Sequence, residues 1–381
     1  MSNSENKPPV SKTPEILDET VTAGEMNEAV AADNRPPIER SVARSAGIVS
    51  AFVMISRIFG LVREQIFAAF FGAGFLKDTF VYAFRIPNLL RDLFAEGALS
   101  AAFVKVFTDY QTNVSEKEAW RLAALVFNLL AIVLSGIVFL GIIFSPLIVS
   151  LIAPEFPPEK AEFTVWLTRI MFSFILFVSL AAVAMGVLNT KGNFAIPASA
   201  STAFNIISIT SGVALAYYLS GGDWDVSKSK DAIPPMSGQW AITGMAIGTV
   251  LGGIAQLAIQ LPSLHKVGFR FKPLLNFSDK GLHRVVKLMI PALIATSGVQ
   301  LKVFIDSIII SGIDGGGSLL GYSFRLMQFP LGAFGVAIGV AALPTLAKFG
   351  SQKKIKEFRS TLANSIGLVF LLTLSSWFSL K

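Results

Sequence analysis

Long apolar stretches recur along this chain from Ser45 onward, and short segments rich in polar and charged residues separate them. Each stretch is close to the ~20 residues that a helix needs to cross the hydrocarbon core of a bilayer. Two of the later stretches are rich in Ala, Gly, Ser and Thr, which predicts closely packed interior helices. The pattern predicts an all-α polytopic membrane protein with nine spanning helices, at about residues 46–71, 79–107, 119–151, 163–188, 195–219, 239–262, 285–311, 318–347 and 361–380.

Composition narrows the class of protein further. Of 381 residues, 53% are hydrophobic and 15% are charged, and the mean hydropathy is +0.62. A soluble domain has about 25% charged residues and could not hide this much apolar surface in one core. The chain has no cysteine and two histidines, which excludes disulfides, thiol nucleophiles and a multi-histidine metal site. Paired carboxylates and nucleophile constellations are also absent, so we expect a transporter rather than an enzyme, with no nucleic-acid partner.

The first forty residues differ from the rest of the chain. They contain five of the eighteen prolines, together with four basic and eight acidic side chains, whereas the whole chain carries a net charge of +7. Such a segment has too little apolar surface to offset its ordering entropy. Residues 1–44 are therefore predicted to form a disordered cytosolic tail.

The distribution of basic residues predicts how the chain is oriented. Lysine and arginine concentrate in short loops on the cytosolic side of a membrane, and this bias sets the topology. With the N-terminus in the cytosol, the predicted inner loops carry thirteen such residues. The predicted outer loops carry four, Lys77, Lys160, Lys228 and Lys230.

Charged residues inside the predicted spans are the candidates for function. A charge near the bilayer centre costs at least ~2.5–3.5 kcal/mol, so it normally faces the bundle interior or a wet cavity. Several of them share a helix face or an i,i+4 spacing, as Lys302 and Asp306 do, and internal salt bridges would explain these equally well. The set comprises Arg57, Arg63, Glu64, Arg85, Arg91, Asp92, Glu96, Arg169, Lys302, Asp306 and Arg325.

Three arginines are harder to explain as structural charges. Arg63, Arg91 and Arg325 have no carboxylate three or four residues further along their own helices. A planar guanidinium matches the oxygens of a phosphate, so arginines that lack partners inside a membrane bundle suggest an anionic ligand. Snorkelling of the long side chains to the membrane surface is the alternative. A bend near Gly60 would bring Arg57 towards Arg63.

A weak internal repeat suggests two related halves. Tyr82, Phe84 and Arg85 recur 240 residues later as Tyr322, Phe324 and Arg325. Each copy lies on the second span of its half, which predicts two homologous bundles with a site between them. We expect a first lobe of six helices over residues 45–262 and a partial second lobe of three helices over 263–381.

Several motifs together resemble the signature of the MurJ (MviN) lipid II flippases. This family belongs to the multidrug/oligosaccharidyl-lipid/polysaccharide exporter superfamily. The first block, Ser-Arg-Ile-Phe-Gly-Leu-Val-Arg-Glu at 56–64, is followed by Phe-Gly-Ala-Gly at 71–74 and by Asp78. The second block is Phe-Arg-Ile-Pro-Asn-Leu-Leu-Arg-Asp-Leu-Phe-Ala-Glu-Gly-Ala at 84–98. Later matches lie at 188–190, 194–197 and 325–330.

The resemblance implies a function in cell wall synthesis and cell shape. Members of the family move undecaprenyl-pyrophosphate-linked peptidoglycan precursor to the periplasmic leaflet, by alternating access of a V-shaped cavity between two lobes. The cavity arginines of the family match Arg57, Arg63, Arg91 and Arg325. Supporting positions would be Ser56, Glu64, Asp78, Arg85, Glu96 and Gln328. No cofactor is implied beyond a sodium ion, for which Asp306 matches one ligand position, or coupling to the membrane potential.

Two departures from the family pattern leave alternatives open. Gln328 stands where the family often has glutamate, which removes a carboxylate close to Arg325. The family has about fourteen spans, so a chain with nine is expected to be truncated at its C-terminus. The alternatives are a polysaccharide or drug exporter of the same superfamily and an inactive fragment of the flippase. Expected partners are lipid II, membrane lipids and the cell wall synthesis machinery.

Overall fold

The computed structural model describes residues 37–93, 98–222, 234–330 and 354–379, together with isolated positions between 331 and 353. The chain divides into two compact units, Met1–Gly47 and Ile48–Lys381, and all contacts given below lie within the second. Every regular element in the described ranges is a helix, as the sequence predicts. The helices are α1 (Pro37–Phe71), α2 (Phe75–Arg91), α3 (Ala98–Asn113), α4 (Glu116–Ile143), α5 (Ser145–Ile152), α6 (Pro158–Met171), α7 (Phe174–Thr190), α8 (Ala195–Leu219), α9 (Met236–Ala258), α10 (Leu261–Lys266), α11 (Lys280–Ile310), α12 (Gly316–Pro330) and α13 (Ile355–Ser379).

Four helical segments within the described ranges are long and apolar enough to cross a membrane. They are Glu116–Ile143, Pro158–Thr190, Ala195–Leu219 and Met236–Lys266. Helix α11 becomes a fifth if its two parts, which meet at an angle of 48° between Ala295 and Ser297, are counted as one span. The bend follows Pro291 and adjoins a Ser-Gly pair, both of which are common causes of helix kinks. The total of nine spans stays a prediction.

The predicted close packing of the small-residue helices α8 and α9 is confirmed. A Cβ atom added to Gly248 would lie 2.4 Å from the Cα atom of Gly212, and one added to Gly244 would lie 2.4 Å from the backbone nitrogen of Ala216. The two backbones approach so closely that only glycine fits at these crossing points. These two helices therefore form a closely packed pair.

Two apolar clusters hold the helices that carry the candidate charges. In one, Phe67 of α1 and Phe80 of α2 pack with Met171 of α6 and Met245 of α9. The Phe67 and Phe80 ring centroids are 4.5 Å apart. The other cluster packs α3, α4 and α7 together with the beginning of α11. The first cluster fixes α1 and α2 relative to each other, and this arrangement positions the site.

Candidate anion-binding site

Three helices meet at the carboxylate of Glu64. Lys77 of α2 donates from Nζ to Glu64 Oε1 over 2.8 Å, and Arg325 Nε of α12 lies 3.9 Å from Glu64 Oε2. The Glu64 side chain is 13% exposed, whereas that of Arg325 is 49% exposed. One buried carboxylate thus serves a buried lysine at short range and a half-exposed arginine at longer range.

The position of Lys77 corrects the sequence analysis, which placed this residue in an outer loop. Helix α2 begins at Phe75, four residues before the predicted span, so Lys77 lies in its first turn and points into the bundle. Lys160, also assigned to an outer loop, is likewise buried, within α6. In both cases a buried carboxylate on another helix is the partner, Glu64 for Lys77 and Asp78 for Lys160. A loop assignment based on charge alone cannot detect such a partner.

Helix α8 forms a wall beside Ser56 and Arg63 of α1. The guanidinium carbon of Arg63 lies 5.1 Å from the centre of the Phe204 ring, within cation–π range. The neighbouring Asn205 donates from Nδ2 to the backbone oxygen of Ser56 over 3.1 Å and to Ser56 Oγ over 3.3 Å. Phe204 and Asn205 are not among the predicted site residues, because nothing in their local sequence marks them as neighbours of α1.

Two buried guanidinium nitrogens retain the capacity to donate to a ligand. Within the described part of the chain, Nε of Arg57 and Nε of Arg85 are buried and have no hydrogen-bond partner. Because buried polar atoms are nearly always satisfied, each such exception needs an explanation. A bound water or an anionic ligand would satisfy each of these donors.

The expectation that Arg91 and Arg325 lack a carboxylate partner is wrong. Arg91 contacts the next residue, with Nη2 2.7 Å from Asp92 Oδ1, and Gln300 of α11 lies 3.4 Å from the other oxygen of Asp92. Arg325 is paired across helices with Glu64. Neither partner stands three or four residues along the same helix, since one is the next residue and the other lies on α1. Their assignment as ligand-binding arginines stays a prediction.

Of the remaining predicted residues, some lie outside the described part of the chain and others have a partner in the structure. Glu96 is outside the described residues, and Gln328 lies in α12 but its side chain is not among those described. The predicted pair of Lys302 and Asp306 is confirmed, with a separation of 2.6 Å. Arg169 of α6 donates from Nε to Ser145 Oγ of α5 over 3.1 Å.

Asp306, the predicted sodium ligand, lies beside a lysine of its own helix. One carboxylate oxygen of Asp306 is bonded to the Lys302 ammonium. In the described ranges, three or more Asp, Glu, His or Cys side chains nowhere come together to hold a metal ion. Sodium binding at Asp306 stays a prediction.

A second polar cluster lies around Asp78, one residue beyond Lys77. The Asp78 carboxylate is 1% exposed and lies 2.9 Å from Lys160 Nζ, itself 5% exposed. It also accepts from the backbone nitrogens of Gly315 and Ser318 over 3.0 and 2.8 Å, and from Ser318 Oγ over 2.5 Å. These contacts join α2 and α6 to the start of α12. A carboxylate is favourable there because the backbone N–H groups at the N-terminus of a helix lack partners within the helix.

The contacts across this junction follow the internal repeat. Ser318 stands 240 residues after its partner Asp78. Tyr82 donates its hydroxyl to the backbone oxygen of Ser307 over 2.8 Å, and the matching Tyr322 donates to that of Gly72 over 2.7 Å. Each tyrosine therefore bonds to the backbone of the other predicted half. We call the contacts of Asp78, Lys160, Ser318, Tyr82 and Tyr322 the Asp78 junction.

Comparison with known proteins places these features in a family context. The family described as Lipid II flippase MurJ matches residues 67–380. A lipid II flippase MurJ of Burkholderia cenocepacia is 35% identical over 335 residues, covering 86% of this chain and 61% of that protein. A probable lipid II flippase MurJ of Haemophilus influenzae is 34% identical over 335 residues, covering 84% of this chain and 62% of that protein. The chain thus spans 61–62% of the length of these relatives.

Solved structures show the same fold. A lipid II flippase MurJ in an inward closed conformation matches with a TM-score of 0.66 and 25% identity, over 85% of this chain and 62% of that one. An inward-facing multidrug resistance transporter of the MATE family matches with a TM-score of 0.62 at 14% identity, over 86% of this chain and 68% of that one. The second likeness concerns the fold alone. Together with the apolar helices, these matches confirm a polytopic membrane protein.

Proposed function

The chain belongs to the MurJ family of lipid II flippases, and we propose that it acts in moving lipid II from the cytoplasmic to the periplasmic leaflet of the bacterial inner membrane. The observation that supports this most strongly is the convergence of α1, α2 and α12 on Glu64, with arginines of α1 and α12 beside it. The role is that of a transporter of a lipid-linked oligosaccharide, with the N-terminus in the cytosol.

The arginines would hold the pyrophosphate of the lipid. A charge-assisted hydrogen bond between guanidinium and oxygen is about 2.7–2.9 Å long. The 3.9 Å between Arg325 and Glu64 is longer than this, so the half-exposed Arg325 keeps donors for a ligand. Arg57 adds a buried Nε without a partner among the described residues. Arg63 and Arg91 would complete the set.

The Asp78 junction would control access to this site from one side. It joins the two predicted halves through a buried ion pair and two tyrosine hydroxyls. If the N-terminus is cytosolic, α1 ends on the periplasmic side, and the junction lies at the periplasmic end. Alternating access then requires the junction to open once the cytosolic end has closed.

Binding of lipid II by the purified chain tests the proposal. We expect Arg63→Ala and Arg325→Ala each to weaken binding by about tenfold or more, because each removes charge-assisted hydrogen bonds. Arg169→Ala is the matched control, since it removes the same charge from a residue that anchors its helix through Ser145. Equal binding by all three variants would refute the proposed site. Displacement of the ligand by organic cations, but not by pyrophosphate, would favour the drug-exporter alternative.

A further inference from the structure

We propose that Lys77 is a positioning residue of the anion site: its ammonium group holds Glu64 and thereby leaves the guanidinium groups of Arg63 and Arg325 available to a phosphate-bearing ligand. This inference rests on the proposed function and adds a residue that neither the motifs nor the predicted set contains.

The distances show which cation is the primary partner of Glu64. Lys77 forms a hydrogen-bonded ion pair of 2.8 Å, whereas Arg325 approaches the other oxygen only to 3.9 Å. The Lys77 side chain is 3% exposed, so water does not screen its interaction with the carboxylate. A compact ammonium on a flexible stem can satisfy Glu64 and leave room beside it for a planar guanidinium.

Aromatic rings from three helices fix the position of this ammonium. Its nitrogen lies 3.9 Å from the centre of the Phe67 ring on α1, 5.5 Å from that of Phe80 on α2, and 5.0 Å from that of Tyr322 on α12. Each distance is within cation–π range, and together the rings cover the ammonium. Lys77 is therefore held in place by Glu64 and by these three rings.

Removing Lys77 would change the partners of Glu64. A buried carboxylate that loses its counter-ion is strongly destabilised and draws in the nearest remaining cation. Arg325 is the other cation within 4 Å of Glu64 among the described residues, and its side chain is exposed enough to move. A close pair of Glu64 with Arg325 would consume the donors that the phosphate needs. A Lys77 variant would thus bind the ligand more weakly because Glu64 has captured Arg325, and not because Lys77 itself holds the ligand.

A double-mutant cycle tests this route. We expect Lys77→Met to weaken the binding of lipid II, and of inorganic pyrophosphate as a competitor, by about tenfold, the effect of losing one charge-assisted hydrogen bond. Adding Glu64→Gln should return the affinity to within about threefold of wild type, because the neutral amide no longer captures Arg325. Lys191→Met removes a lysine paired elsewhere, with Glu116, and should bind as wild type does.

Each outcome has a defined meaning. If Lys77→Met binds as tightly as wild type while Arg325→Ala does not, the inference is overturned and the proposed function stands. If wild type itself binds neither ligand in an arginine-dependent way, the proposed function fails first. Thermal stability of each variant separates positioning from folding. A double variant that stays defective in binding although it is as stable as wild type would also contradict the inference.

Discussion

Neutralising Lys160 should open the Asp78 junction, and the size of the effect follows from burial. Asp78 and Lys160 are 1% and 5% exposed, so the full cost of breaking a buried pair applies, about 3–5 kcal/mol. In Lys160→Met the carboxylate would keep the donors of Gly315 and Ser318 at the N-terminus of α12. We therefore expect the lower end of that range, ~3 kcal/mol, which changes the ratio of closed to open junction about a hundredfold.

The free-energy cost of Lys160→Met should fall on the closed state of the junction alone. When the junction opens, water can reach the Asp78 carboxylate and replace the lost ammonium, whereas in the closed state the charge stays buried without its counter-ion. Asp78→Asn should have the same sign but a smaller effect, because the Lys160 ammonium keeps Asp314 as a partner, 3.4 Å away. The double variant Asp78→Asn/Lys160→Met buries no unpaired charge and should lie closer to wild type than either single variant.

Distances between spin labels across the junction provide the assay. The chain has no cysteine, so the exposed residues Ala73 and Ile313, on loops that meet at Gly315, can each be replaced by cysteine and labelled in an otherwise native sequence. Wild type should give one short-distance population, and Lys160→Met should add a longer one. If Lys160→Met and wild type, at equal folded yield, give the same distribution, the buried pair does not hold the junction.

Three further predictions concern packing, the wall of the site and pH. Gly248→Ala should lower the yield of folded protein, because its new Cβ would lie 2.4 Å from α8, whereas Gly136→Ala, in open space, should not; detergent-solubilised yields compare them. Asn205→Ala should weaken lipid II binding severalfold by loosening α1 at Ser56, measured as a change in affinity at unchanged protein yield. A hydrogen bond from Asn113 and then the Arg284 guanidinium lower the pKa of Asp109. The stabilisation from Asp109 is therefore present above its ordinary pKa of 3.8 and is lost as the pH falls below that value. A carboxyl NMR titration of Asp109 should show a midpoint below 3.8 and no step between pH 5 and 8.

Hydrophobic periodicity was sufficient to predict the helices that lie in apolar surroundings. The stretch predicted at 195–219 coincides with α8, and that at 239–262 falls within the segment Met236–Lys266. Breaks inside a span were missed. Residues 119–151 form two helices that meet at Phe144, with Pro146 in the first turn of the second, and hydropathy is insensitive to such a break.

Charge positions were predictable, but charge partners were not. The i,i+4 pair of Lys302 and Asp306 could be predicted because its geometry is local to one helix. The partners of Glu64 and Asp78 come from helices far apart in the sequence, and nothing local specifies them. Burial of Lys77 depends on where α2 starts, and helix ends are the least certain part of a pattern-based assignment.

Selectivity for the pyrophosphate group is the measurement that bears most directly on the site proposed here. The affinity of the purified chain for lipid II would be compared with that for the same lipid carrying a neutral linker in place of the pyrophosphate. Wild type should prefer lipid II by about a hundredfold, since two charge-assisted hydrogen bonds supply at least that much. In Arg63→Ala/Arg325→Ala the preference should fall close to unity. An undiminished preference in the double variant would show that the pyrophosphate binds elsewhere.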